Sequence, residues 1–167
     1  MTTHTNLQTF IARYSPELAS QLRGARSRLR KAFPRGYELV YDNFNALVFA
    51  FSASKKQADL VLSIAAYPRW VSLFFANGAR LPDPHGLLKG SGSRIRHVVL
   101  ASASDLDSPA IRALIAHATK PLAKTLATAP KLTTVIRAVS ASSDRDGRDR
   151  HSHLMSELMM PRSRSGI

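Results

Sequence analysis

The chain contains no cysteine, which removes disulfides, thiolate nucleophiles and cysteine metal centres together. Acidic residues are scarce as well: 11 Asp and Glu stand against 24 Lys and Arg, leaving a formal net charge of +13. Such a field favours anionic partners over cationic ones. Long hydrophobic runs are lacking too. No stretch approaches the roughly 18 uncharged apolar residues of a membrane span, and the opening residues MTTHTNLQTF show neither the basic start nor the apolar centre of a secretory leader. A soluble, cytoplasmic protein with no membrane partner is expected.

What the chain does hold suits one α+β domain. Its 167 residues are 44% hydrophobic, enough for a single core. The basic excess is uneven. Residues 1–35 carry seven basic and one acidic side chain, residues 36–121 nine and six, and residues 122–167 eight and four. We expect a domain over residues 1–140. The basic tail 141–167 holds a small LMSELMM patch but too few apolar residues to offset chain entropy, and is expected to be disordered.

Helical spacing of Leu7, Phe10, Ile11 and Tyr14 predicts a first helix. Ser15, Pro16 and Glu17 then supply a cap, a proline at the first helical position and an acid in the first turn. Leu18, Leu22, Ala25, Leu29 and Phe33 form the stripe of a second helix, interrupted by the weak helix former Gly24 and closed by Pro34 and Gly36. Strand patterns follow at Leu39–Tyr41, Ala46–Phe51, Asp59–Ala66, Trp70–Ala76 and Ile95–Ala101, and their short links favour an antiparallel meander. Asp107, Ser108 and Pro109 repeat the cap-and-proline signature before a helix with the stripe Ile111, Leu114, Ile115 and Ala118. Leu122–Pro130 reads as a helix end or loop, and Lys131–Ser140 as one edge strand. Two N-terminal helices and one capped C-terminal helix on a mostly antiparallel sheet are the predicted architecture.

Three segments carry a family resemblance: ELVYDNFNALVFAFS, LSIAAYPRWVSLFFANGARLPDPHGLLKGSGSRIRHVVL and DLDSPAIRALIAHA. The YPRW turn (Tyr67–Trp70), the LPDPHGLL loop (Leu81–Leu88) and the GSGSRIRH turn (Gly90–His97) are its most specific parts. From about Leu7 to Ala141 the chain resembles the YdhG-like domain family, a bacterial group of unknown function. That resemblance implies a compact α+β domain and no particular reaction. Some relatives are described as intracellular iron chaperones resembling frataxin. An acidic helix ridge would recruit iron, whereas the N-terminal helix region here is strongly basic, so cation recruitment by that face is disfavoured. The segment after Ala141 departs from the family's short basic, proline-rich end.

Candidate sites follow from the loop between Trp70 and Leu100, which carries Gly78, Pro82, Pro84, Gly86, Gly90 and Gly92 and almost no side chain suited to covalent chemistry. Loops of that length either cross a scaffold or recognise something. Backbone N–H groups at Gly90 and Gly92, beside Lys89, Arg94 and Arg96, would suit a small anion, or the glycines form a tight turn and nothing more. The phosphate-loop and dinucleotide signatures are absent, because a strand and no helix follows Gly92. Phe75, Arg80, Leu81, His85, Leu88, Arg94 and Arg96 are the candidate ligand-binding residues, for a small anion or a protein partner. Arg23, Arg26, Arg30 and Lys31, with Arg28 and Arg35, form the alternative: a helix face for sequence-indifferent contact with nucleic-acid phosphates, or a solvated face and no more.

Metal binding and catalysis find less support. His85 stands two residues after Asp83, while His97 and His117 fall on a strand and a helix, and none has a ligand motif around it. His151 and His153 form a pair in the tail. No serine sits in a nucleophile motif, and Asp105 and Asp107 read as the approach to a helix cap. Tyr41, Trp70, Phe74 and Phe75 are expected in the sheet core. A non-enzymatic module without cofactor or metal is the overall expectation.

Overall fold

Serine hydroxyls set two of the helix starts. In the computed structural model, which describes residues 3–43 and 45–139, Ser15 and Ser108 accept the backbone N–H of Leu18 and of Ile111, each at 3.3 Å. These caps open α2 (Pro16–Ala32) and α3 (Pro109–Thr119), each with proline at its start. Helix α1 (Thr3–Ile11) precedes them, and the short α4 (Ala123–Thr128) occupies the stretch expected as helix end or loop. The predicted stripe of α2 is buried throughout, from Leu18 to Phe33. Gly24 has a packing reason, since a Cβ there would lie 2.8 Å from the Ala103 Cβ. The helix needs that missing side chain to approach the turn Ala103–Asp107.

Six strands form one sheet: β1 (Tyr37–Asp42), β2 (Leu47–Ser52), β3 (Leu60–Ala66), β4 (Val71–Phe75), β5 (Arg96–Leu100) and β6 (Thr133–Val139), in the order β5-β4-β3-β2-β1-β6. The first five make the predicted antiparallel meander. Strand β6 is an edge strand, as expected, but pairs with β1 in parallel. A parallel neighbour requires a long crossover. The chain therefore returns from one sheet edge to the other, and α3 and α4 lie in that return. The architecture is α+β, with helices packed on a mostly antiparallel sheet.

Alternation along the strands sorts side chains onto two faces. One face carries Val40, Leu47, Phe49, Phe51, Ile64, Leu73 and Phe75, packed against Leu7, Phe10, Leu22, Leu29, Leu114 and Ile115 of the helices. The second carries a separate cluster of Leu39, Tyr41, Val48, Ala50, Ala65, Tyr67 and Phe74. Tyr41, Phe74 and Phe75 are in the core as expected. Trp70 is not: it is 44% exposed and stacks on Tyr67, with ring centroids 5.0 Å apart. It stands just outside the last sheet pair, Val71 with Leu100, where no strand neighbour covers it.

A carboxylate stands on the helix-facing side of β1. Glu38 is fully buried and accepts from Arg26 Nε at 2.9 Å, Arg26 Nη2 and Arg30 Nη1 at 2.7 Å, and Thr134 Oγ1 at 2.8 Å. The Arg26 guanidinium also lies 5.0 Å from the centre of the Phe49 ring. Nearby, Arg13 pairs with the buried Asp42, and the Tyr14 hydroxyl donates to the Ala66 carbonyl at 3.0 Å. Together these contacts tie α2 and the link before it to β1, β3 and β6. The tail 141–167 lies outside the described residues. Within them no helix is long and apolar enough to cross a membrane.

Candidate binding cleft

The loop after β4 is built by hydrogen bonds that its own sequence supplies. Gly78–Arg80 makes one tight helical turn, and the Ala79 N–H donates to the Arg94 carbonyl at 2.9 Å, drawing the turn onto the start of β5. A Cβ at Gly78 would lie 2.5 Å from the Arg96 Cβ, so only glycine permits this approach. Further along, both carboxylate oxygens of Asp83 accept backbone N–H groups, from Leu87 and Leu88, at 2.9 Å each. The loop then runs beside β5, where Lys89 and His97 exchange a pair of backbone bonds of 2.8 and 2.9 Å.

This construction leaves a cleft of about 850 Å³ between the loop, the ends of β3 and β4, and the return through α3 and α4. Its floor is apolar, with Val61, Phe75, Leu81, Ala118 and Leu122. Its rim carries Asp59, Asn77, Arg80, Arg94 and His117. Among the rim charges, Asp59 accepts a 2.5 Å bond from the Ser54 hydroxyl. Arg94 reaches Asn77 Oδ1 only through two long contacts of 3.3 Å, and Arg80 is exposed. The rim thus presents two guanidinium groups against a single carboxylate. Its size lies within the roughly 300–1,000 Å³ of ligand pockets.

Four of the seven candidate residues, Phe75, Arg80, Leu81 and Arg94, line this cleft. The other three point to other tasks. His85 is exposed at the turn organised by Asp83, and Leu88 packs against the main core. Arg96 donates to the carbonyls of Gly92 at 2.6 Å and Ile95 at 2.7 Å. Its guanidinium therefore braces the glycine turn, where an anion nest would need it free. Asp59, His117 and Leu122 join the cleft from elsewhere in the chain, and no spacing rule connects them to the loop.

The alternative residues Arg23, Arg26, Arg30 and Lys31 surround one shallow depression of about 360 Å³ with Gln8, Ile11 and Ser27. Arg26 and Arg30 are committed to Glu38, Arg28 pairs with Asp107 at 2.9 Å, and Arg35 donates to the Leu126 and Ala129 carbonyls. Arg23 and Lys31 remain exposed cations. Six free cations were expected on this face; internal acceptors engage four of them.

The histidines fall in separate places. His97 stacks on Phe74 at 5.3 Å on the second sheet face. Burial lowers its pKa below the ordinary 6.5, and the Lys89 charge lowers it further. Asp105 closes a capping box with Ser102 at the start of the turn Ala103–Asp107, one turn ahead of the helix cap its position suggested. Among the described residues, no three histidine or acidic side chains come together as a metal site. No family model, curated protein or solved structure matches this chain.

Proposed function

We propose that this chain is a cytoplasmic, non-enzymatic binding module of the YdhG-like kind, and that its cleft takes a small anion with an apolar body. The observation that carries this reading is the convergence of Arg80 and Arg94 over the apolar floor of Phe75, Leu81 and Leu122. Charge at the rim would hold a phosphate or carboxylate, and the floor would cover the remainder. The groups assembled there suit holding rather than reacting. Across a surface with a net charge of +13, approach of an anion is also favoured over approach of a metal cation. This separates the reading from iron carriage. Nucleic-acid contact through α2 has less support, because Glu38 and Asp107 offset part of that face.

A thermal-shift series with inorganic phosphate, adenosine monophosphate, octanoate and ferrous iron tests the proposal. A ligand present at about 100 times its dissociation constant adds about 2.7 kcal/mol. For a chain of this size that raises the midpoint by roughly 5–10 °C. We expect an anion to do so and Arg80→Ala with Arg94→Ala to abolish the shift. A shift retained by that double variant, or given by iron alone, contradicts the reading.

A further inference from the structure

The cleft holds charge of both signs and keeps the two apart. Arg80 and Arg94 stand on the loop after β4, and Asp59 stands on the link between β2 and β3, all three around one apolar floor. Among the described residues no ion pair joins that carboxylate to either guanidinium. Arg94 turns instead to Asn77 Oδ1, which accepts from its Nε and Nη2. Asp59 is oriented by Ser54, whose hydroxyl donates to Oδ2 while its own oxygen accepts the Lys56 N–H at 3.0 Å. Among the described residues, Asp59 Oδ1 is left without a donor. A carboxylate accepts and does not donate, so this oxygen suits a ligand that brings a hydroxyl.

We infer that the anion of this cleft is a nucleoside monophosphate, with its phosphate between Arg80 and Arg94 and its ribose hydroxyls on Asp59. The inference rests on the anion reading of the same cleft and adds the body of the ligand. Each part of the wall answers to one part of that body. Guanidinium groups match phosphate oxygens in pairs, and Asn77 steadies that of Arg94. A carboxylate in a nucleotide site takes a ribose hydroxyl. An amine could also meet Asp59, but a surface with a net charge of +13 disfavours a cationic end. The floor of Val61, Phe75, Leu81, Ala118 and Leu122 then covers the base. The volume agrees with a ligand of this length, since about 850 Å³ would be left mostly to water by a phosphate alone.

Calorimetric titration of adenosine monophosphate, its 2′,3′-dideoxy analogue, ribose 5-phosphate and inorganic phosphate into the full chain tests the inference. We expect adenosine monophosphate to bind roughly 10- to 100-fold more tightly than the dideoxy analogue, the range for a hydrogen bond to a charged group. It should also exceed ribose 5-phosphate, which leaves the floor uncovered. In Asp59→Ala the preference over the dideoxy analogue should vanish, whereas the loss of a negative charge acts on every anion alike. Should that variant fail to fold, the comparison of the two nucleotides in the parent chain decides alone. Equal affinity for the two nucleotides in the parent overturns the inference. So does ribose 5-phosphate binding as tightly as adenosine monophosphate, or a preference that survives in Asp59→Ala. Phosphate binding that needs Arg80 and Arg94 but gains nothing from the nucleoside overturns the inference and leaves the anion reading standing. Absence of binding by every anion overturns both.

Discussion

Glu38 concentrates more of this fold in one side chain than any other position described. Its carboxylate is fully buried, whereas the side chains of Arg26 and Arg30 keep 20% and 36% exposure. Removing one partner of a buried pair leaves an uncompensated charge and costs about 3–5 kcal/mol. We expect Glu38→Gln to fall near 3 kcal/mol in urea unfolding, since both arginines retain water on one side. A loss below about 1 kcal/mol would show that the cluster contributes little. Gly78 makes a steric demand instead. Gly78→Ala pushes a methyl group against Arg96, and overpacking of this kind costs about 1–3 kcal/mol. The same denaturation measurement reads it, and a cost near zero would mean that the loop moves freely away from β5. His97 adds a pH dependence. Its folded pKa lies below the unfolded value, so the unfolded state binds the proton more readily and stability falls as pH drops through 6.5. His97→Phe should flatten the part of the curve below about pH 6.5, and an unchanged acid limb contradicts the assignment.

Elements divide by how local their causes are. Ser15 and Ser108 act within one turn, and each cap contributes about 1 kcal/mol. Since they serve different helices, Ser15→Ala and Ser108→Ala should add, with the double variant losing about 2 kcal/mol in the same measurement. A double variant no worse than either single one would mean that the two helices unfold together before the caps matter. These local signals are the ones a sequence displays: the α2 stripe from Leu18 to Phe33, the proline starts, and the five meander strands joined by short turns. The parallel pairing of β6 with β1 is not displayed, because Thr133–Val139 alternates alike for either direction and its partner lies almost a hundred residues earlier. Glu38 is hidden for a similar reason. It interrupts an apolar strand, and only tertiary structure brings Arg26, Arg30 and Thr134 to it. The cleft was half legible. Phe75 at the end of β4 and Arg80, Leu81 and Arg94 in the loop after it could be read as a group, whereas His117 and Leu122 arrive on the return of the chain across the sheet. Arg96 misled because a guanidinium beside glycines suits an anion nest and a self-braced turn equally well.

At the scale of the whole molecule, three features act together. The meander supplies a rigid floor, the loop from Asn77 to Arg94 forms one wall, and α3 with α4 forms the other. Positive charge is partly neutralised inside by Glu38 and Asp42 and at the surface by Asp107, and stands free at Arg80 on the cleft rim. The proposed anion would enter such a cleft without large movement of its walls, because the groups lining it come from packed elements and a hydrogen-bonded turn. The central claim is that Arg80 and Arg94 together make the cleft an anion site. Calorimetric titration of inorganic phosphate, adenosine monophosphate and octanoate into the parent chain and into Arg80→Glu with Arg94→Glu tests it most directly. The account predicts saturable binding of at least one of these to the parent, at one site per chain, and at least a hundred-fold loss in the charge-reversed variant. Equal affinity in the two proteins, or no binding of any of the three to the parent, would contradict it.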